Sequence, residues 1–412
     1  MTPVPSHPIA LVVGSTGVAG ASLVDVLAEK GWRVVALSRR SRNQSQDGVT
    51  HVAVDLLDGD ALKKHLGMHH ITHVFYAAQK KEGLLRTDKY VNIRKLRRQI
   101  MWVGRLLPWI KWIPGVMPLF YWFTMKEAGA LDPTKSNLQM FKNVMAALEY
   151  HQAPLQHLSF ITGAKSYGMH LGPQLYPNYD LPFDEDRTAR VPGPNWYYEF
   201  EDHVASQDYP FSWSLFRPSF LIGAASGSPF NLGTTLAVYA TIQKLKNEPL
   251  VFWGDRGAAQ CDWEISPSRQ LAEMMIWSAD EPRAHGQAFN CTTGEPFKWI
   301  DLWPRLAAAL QMPYDMTDKG FSMKQFVDEN AVFWDRVTAE HGLVPHRLDA
   351  LVAWEFIDKA MAIDWDVRFR MDKAENAGFK AFKSHEEVFW DVFRQLQDAQ
   401  IIPNSQWVLP KG

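Results

Sequence analysis

Hydrophobic and polar positions alternate along the first part of the chain in a regular rhythm. Short β-branched runs, IALVVG, RVVALSR, THVAVDL and HVFYAA, are separated by amphipathic stretches such as AGASLVDVLAEKG. Runs of this length with intervening helical periodicity predict parallel strands joined by right-handed crossovers. The rhythm returns at NLQMFKNVMAALEYH, a helix with apolar residues three and four apart, followed by the strands QHLSFIT and SWSLFRPSFLIG. The expected fold is α/β, a Rossmann-type doubly wound parallel sheet, over residues 1–225. Beyond about Gly223 the pattern changes to helices rich in Trp and Phe, broken by short strands such as PLVFWG and QAFNCTTG. Residues 226–412 are therefore read as a smaller, mainly helical substrate domain, with some segments returning to the sheet.

An apolar insertion over about 83–133 interrupts the rhythm. Its centre, Met101–Phe123, is long enough to raise a membrane span, but Arg105, Lys111, Pro108, Pro114 and Pro118 lie within it. Each is costly at bilayer depth or breaks a spanning helix, so a span is rejected. A lid or channel wall is favoured over an interfacial helix in peripheral contact with a membrane, a reading kept alive by the basic flank RTDKYVNIRKLRRQ.

With 412 residues, 46% hydrophobic and 21% charged, the chain can bury a sizeable core. A net charge of -2 leaves no basic excess for phosphate backbones, which argues against nucleic acid as a partner. Two cysteines lack both a disulfide framework and metal-ligand spacing, so no metal is expected and a cytoplasmic setting is the default.

After the first strand comes GSTGVAG, with Gly14, Ser15, Thr16, Gly17, Val18 and Gly20. Glycines there permit a tight strand-to-helix turn, and the helix N-terminus offers N–H groups and positive dipole to a pyrophosphate. The second strand ends in Ser38, Arg39 and Arg40 where an NAD enzyme would place an acid. Guanidinium groups suit a 2'-phosphate, so the cofactor is read as NADP(H). Asp55, beside Leu56, is placed to bond the adenine amine, and Ala77, Ala78 and Gln79 end the fourth strand where the cofactor passes.

A reductase tyrosine commonly has lysine four residues later, on the same helix face. Tyr76 precedes Lys80 at that spacing but ends the strand HVFYAA rather than lying on a helix; Tyr197 and Tyr198 in NWYYEFED are followed by Glu201 and Asp202, which would raise a phenol pKa. The cation must come from elsewhere, and Lys165, in FITGAKSYG at the end of the preceding strand, is the candidate. TGAKSY and NWYYEFED together closely resemble the progesterone 5β-reductase and iridoid synthase group of atypical extended short-chain dehydrogenases/reductases. Matching stretches continue in WSLFRPSFLIG, NLGTTLAVYA, AFNCTTGEPFKWIDLW and LVAWEFID. The resemblance implies that Tyr197 and Lys165 are catalytic, that both touch the cofactor with Thr162, Pro218 and Phe220, and that Phe356 lines the substrate pocket. In GMHLGPQLYP, Leu171, Gln174 or Tyr176 would fill the places of the family's bulky pocket residues.

The function expected is NADPH-dependent 1,4-reduction of an apolar enone, with Tyr197 stabilising the enolate. Carbonyl 1,2-reduction is the runner-up, weakened by Gly163 and Ala164 where a Ser or Thr would assist. A non-catalytic NADP(H) sensor ranks third. A homodimer is a further expectation.

Overall fold

A computed structural model describes residues 8–39, 46–67, 69–80, 133–176, 178–191, 195–225, 228, 231–317, 320–380 and 384–404. Arg40, and all of the insertion but Pro133, lie outside these residues, including Met101–Phe123. Among the described residues, no helix is long and apolar enough to cross a membrane.

The N-terminal rhythm folds as β1 (Ile9–Val13), α1 (Val18–Glu29), β2 (Arg33–Ser38), β3 (Val49–Ala53), α2 (Gly59–Leu66) and β4 (His73–Tyr76). There follow α3 (Pro133–Tyr150), β5 (His157–Ile161), a single 3-10 turn over Ala164–Tyr167, the short α4 (Gly172–Leu175) and α5 (Trp196–Ala205). Every residue of β1 and β4 is buried, as expected of strands covered on both faces. One long strand was expected over SWSLFRPSFLIG, but two form: β6 (Ser212–Pro218) and β7 (Phe220–Ile222). The physical reason lies at Ser219, whose N–H and hydroxyl bond to Ser266 Oγ and the Glu264 carbonyl, outside the main sheet. The remaining strands are β8 (Leu250–Val251), β9 (Ile265–Pro267), β10 (Gln287–Cys291) and β11 (Tyr314–Asp315).

The main sheet has seven strands in the order β10-β6-β5-β4-β1-β2-β3. Strands β1 to β6 pair in parallel throughout, with β1 between β2 and β4. Chain order reverses at β1 and β4, which is the switch point where such sheets bind ligands beyond their C-terminal strand ends. β7 pairs with β9 and β8 with β11 in two small separate sheets.

The chain divides into two compact units. One comprises Met1–Ser15, Leu23–Arg217 and Met274–Asn290; the other comprises Thr16–Ser22, Pro218–Glu273 and Cys291–Gly412. The core of the first joins Leu11, Val13, Leu37 and Val74 of the sheet to Phe141, Val144 and Leu148 of α3 and Phe200 of α5. In the second, Trp263, Trp299 and Trp303 are fully buried, and the ring of Trp299 lies 5.8 Å from Trp263 and 5.9 Å from Trp303.

Candidate active site

The β1–α1 connection is held tightly to the strands beside it. The N–H groups of Gly14 and Ser15 both donate to the Leu37 carbonyl at 3.0 Å, and the Ser15 hydroxyl donates to the same oxygen. Gly14 has φ +90°, and a Cβ there would stand 2.8 Å from the backbone of Ala78. Glycine is thus required for a close backbone approach, which brings the loop onto the end of β4. α1 opens from this loop with no acidic residue in its first turn, and Arg39 is exposed one residue beyond β2. A helix start without an acidic residue and an exposed guanidinium position fit a dinucleotide phosphate and a 2'-phosphate respectively. Asp55 is exposed and accepts from Leu57 N, while the side chain of Leu56 is buried in the core.

Tyr197 and Tyr198 are both buried, at 7% and 8% exposure, yet their hydroxyls differ completely. Tyr198 donates to the Ser166 carbonyl at 2.5 Å and accepts from Val191 N at 2.8 Å. The hydroxyl of Tyr197 has no hydrogen-bond partner among the described residues; its backbone N–H donates to Asn195 Oδ1, and its ring packs edge-on against Trp196 at 4.4 Å. Burial, and then the charge of Glu201, push the Tyr197 phenol well above its ordinary range, so it is protonated at any physiological pH. A buried tyrosine normally satisfies its hydroxyl. Tyr197 therefore presents an available neutral donor, whereas Tyr198 is a structural tie.

α5 is fixed at both ends of this pair. Asn195 caps it through Tyr197 N, and Phe200 packs on Tyr76, Phe141 and Phe160 with ring centroids 5.4, 4.6 and 4.9 Å away. Lys165 is exposed on the 3-10 turn, and its carbonyl accepts from Asn195 Nδ2 at 3.3 Å. One asparagine side chain thus bonds the backbones of both Tyr197 and Lys165. The turn closes at Gly168, φ +77°, where a Cβ would meet Tyr176 at 2.8 Å and Val191 at 2.9 Å. Leu171 and Tyr176 pack with Val191 in a small apolar cluster of their own, and the Tyr176 hydroxyl bonds the Ala189 carbonyl. Phe220 and Phe356 lie in the second unit with ring centroids 6.3 Å apart, and Phe220 stacks on Trp263 at 4.4 Å.

Glu201, read from the sequence only as an unfavourable neighbour, is the hub beneath this site. It is 5% exposed and accepts from Thr162 Oγ1 at 2.8 Å and Ser166 Oγ at 3.2 Å. Its charge is met by Arg217, at 2.7 Å to Oε2 and 3.2 Å to Oε1, and at longer range by Arg190, 3.7 Å from Oε2. Arg217 also donates to Tyr167 Oη, which itself donates to Asn290 Oδ1 at 2.7 Å. Arg217 and Asn195 escaped the sequence reading. The asparagine had a detectable signal, a capping residue before a helical run, while Arg217 sat inside a strand pattern with nothing local to mark its partner.

A family model described as a PRISE-like Rossmann-fold domain matches residues 113–403. The chain belongs to that family. A second model, for the NAD dependent epimerase/dehydratase family, matches residues 10–108 of this PRISE-like protein. It is 27% identical to an (S)-8-oxocitronellyl enol synthase of Catharanthus roseus, covering 96% of this chain and 92% of the relative. It is 26% identical to a 3-oxo-Delta(4,5)-steroid 5-beta-reductase of Arabidopsis thaliana, covering 96% and 93%. Among solved structures, a UDP-glucose 4-epimerase of Thermotoga maritima aligns with a TM-score of 0.56 at 13% identity, over 95% of this chain and 99% of that one. A GDP-mannoheptose C4 reductase of Campylobacter jejuni with NADP bound aligns at 0.54 and 12%, over 96% and 100%. These structural likenesses show the Rossmann fold. The PRISE-like protein is an oxidoreductase.

Proposed function

We propose that this PRISE-like protein reduces the carbon–carbon double bond of an apolar α,β-unsaturated carbonyl compound, such as a steroid, a terpenoid or a small enone, by 1,4-addition. The observation that carries the reading is the Tyr197 phenol, which is buried, protonated and uncommitted among the described residues, on a helix bonded to the Lys165 turn. The names of the two plant relatives, an enol synthase and a 3-oxo-steroid reductase, favour chemistry next to a carbonyl group.

When bound, NADPH supplies hydride for the β-carbon. Tyr197 hydrogen-bonds the substrate carbonyl oxygen and stabilises the negative charge that gathers there, a contribution worth about 3–4 kcal/mol for one such donor. Its high pKa suits that task, because a donor that stays neutral need not surrender its proton; the enolate takes its α-proton from solvent. Lys165 contributes an ammonium beside the cofactor ribose. Carbonyl 1,2-reduction would gain from a second hydroxyl, but Thr162 donates its own to Glu201.

The test is to incubate the protein with NADPH and a panel of enones and identify products by mass spectrometry. A saturated ketone or aldehyde is expected. An allylic alcohol, or no NADPH consumption across the panel, overturns the reading.

A further inference from the structure

The proposed reacting pair is divided between two elements, a phenol on α5 and an ammonium on the Ala164–Tyr167 turn, and separate elements can drift. Three residues of the α5 segment, spaced three apart and so on one face, reach that turn. Asn195 Nδ2 donates to the Lys165 carbonyl, Tyr198 Oη donates to the Ser166 carbonyl, and Glu201 accepts from Ser166 Oγ. Glu201 also accepts from Thr162 Oγ1, which holds the end of β5 just before the turn. Residues 162, 165 and 166 are thus bonded to one helix face, flanking and including the lysine.

Among these ties Glu201 bears the most. It is the one that is charged, it serves two positions of the Lys165 segment at once, and Arg217 of β6 fixes it from behind through two contacts. We propose that Glu201 is a positioning residue, which locks the Lys165 turn to the helix of Tyr197 so that ammonium and phenol keep a single relative geometry. The proposal rests on the assignment of Tyr197 and Lys165 as the reacting pair. A second effect accompanies the grip: the carboxylate, one turn from Tyr197, adds its charge to burial in keeping that phenol protonated.

The test uses Glu201→Gln in the full chain, beside Tyr197→Phe. Amide hydrogen exchange of the peptide covering 162–168 should accelerate at least tenfold in Glu201→Gln. Its kcat with a simple cyclic enone should fall tenfold to a hundredfold. Its KM for the enone should stay within threefold of the parent's while kcat falls, a split that a general loss of structure would not give. Unchanged exchange overturns the proposal, and so does faster exchange with parental kcat. Should Glu201→Gln fail to fold, Ser166→Ala keeps the Arg217 pair and removes one tie. It should then show faster exchange of the turn and a threefold to tenfold lower kcat, and parental behaviour in both sinks the idea. If Tyr197→Phe proves fully active, the ene-reductase reading has failed, and the exchange measurement still decides whether Glu201 holds the turn.

Discussion

The carboxylate of Glu201 and the guanidinium of Arg217 face each other as a fork, with Nη2 2.7 Å from Oε2 and Nε 3.2 Å from Oε1. Both side chains are largely buried, at 5% and 12% exposure. Removing one partner of such a pair leaves an uncompensated charge, at a cost of about 3–5 kcal/mol, while replacing both with well-packed neutral groups is often near neutral. Arg190, 3.7 Å from Glu201 Oε2, keeps part of that charge compensated, so Arg217→Met is expected to lower the free energy of unfolding in urea by an amount near the lower end of that range. Arg217→Met combined with Glu201→Gln should recover more than half of the loss.

The two adjacent tyrosines should separate function from stability. Tyr197→Phe removes a hydroxyl without a partner among the described residues, so the denaturation midpoint should barely move while enone turnover falls about 10²–10³-fold. Tyr198→Phe strands Val191 N and the Ser166 carbonyl, so stability should drop by about 1–3 kcal/mol. Paired urea curves and initial rates check both statements.

Acid sensitivity should arise at the N-terminal ends of the strands. Burial, against a weaker opposing pull from Asp280, lowers the His73 imidazole to about 4; burial, His285 and His73 lower His157 to about 3. Both rings already have neutral partners, Thr72 for His73 and Ser212 and Ser159 for His157. Because the unfolded chain takes up protons first, the contribution of each ring is complete above pH 6.5 and is lost as pH falls toward 4 and 3. About 2 kcal/mol per histidine should be gone by pH 5. Urea unfolding of His157→Gln at pH 7 and pH 5 should show a correspondingly smaller difference than the parent.

Glu264 acts in the opposite direction. Burial raises its carboxyl to about 7, although Thr292 Oγ1 at 2.6 Å and Phe369 N at 2.8 Å both donate to it. The folded state now holds the proton more tightly, so the benefit is complete below pH 4.5 and disappears as pH rises through about 7. Between pH 5 and pH 8 the parent should lose about 2–3 kcal/mol through this group. Glu264→Gln should show none of that slope in thermal or urea unfolding.

Arg39 stands exposed beyond β2. Arg39→Ala should weaken NADPH binding about tenfold or more and NADH binding less than threefold, since a charge-assisted bond to phosphate is worth about 1.5–3 kcal/mol. Titration by nicotinamide fluorescence reads both, and equal losses would place recognition of the 2'-phosphate elsewhere.

Much of the scaffold was legible because its signals are local. The apolar runs became β1 to β6, and the glycine loop fell between β1 and α1 as expected. TGAKSY and NWYYEFED became a turn and a helix joined by Asn195. The break at Ser219 was not legible, because it depends on Ser266 and Glu264, more than forty residues away in the chain. Glu201 was read correctly as a charge that raises the phenol pKa. Its service as a hub could not be seen, since Arg217 lies on another element and periodicity carries no information about which distant strand will face a helix.

The clasp on Tyr198 leaves the enzyme without an understudy. Two neighbouring phenols suggest redundancy, but one oxygen is committed on both sides, to a carbonyl and to an amide, and turning it toward a substrate would abandon both. Loss of the Tyr197 hydroxyl should therefore have no cheap suppressor nearby, and a selection for restored activity should have to rebuild the donor from a different part of the chain.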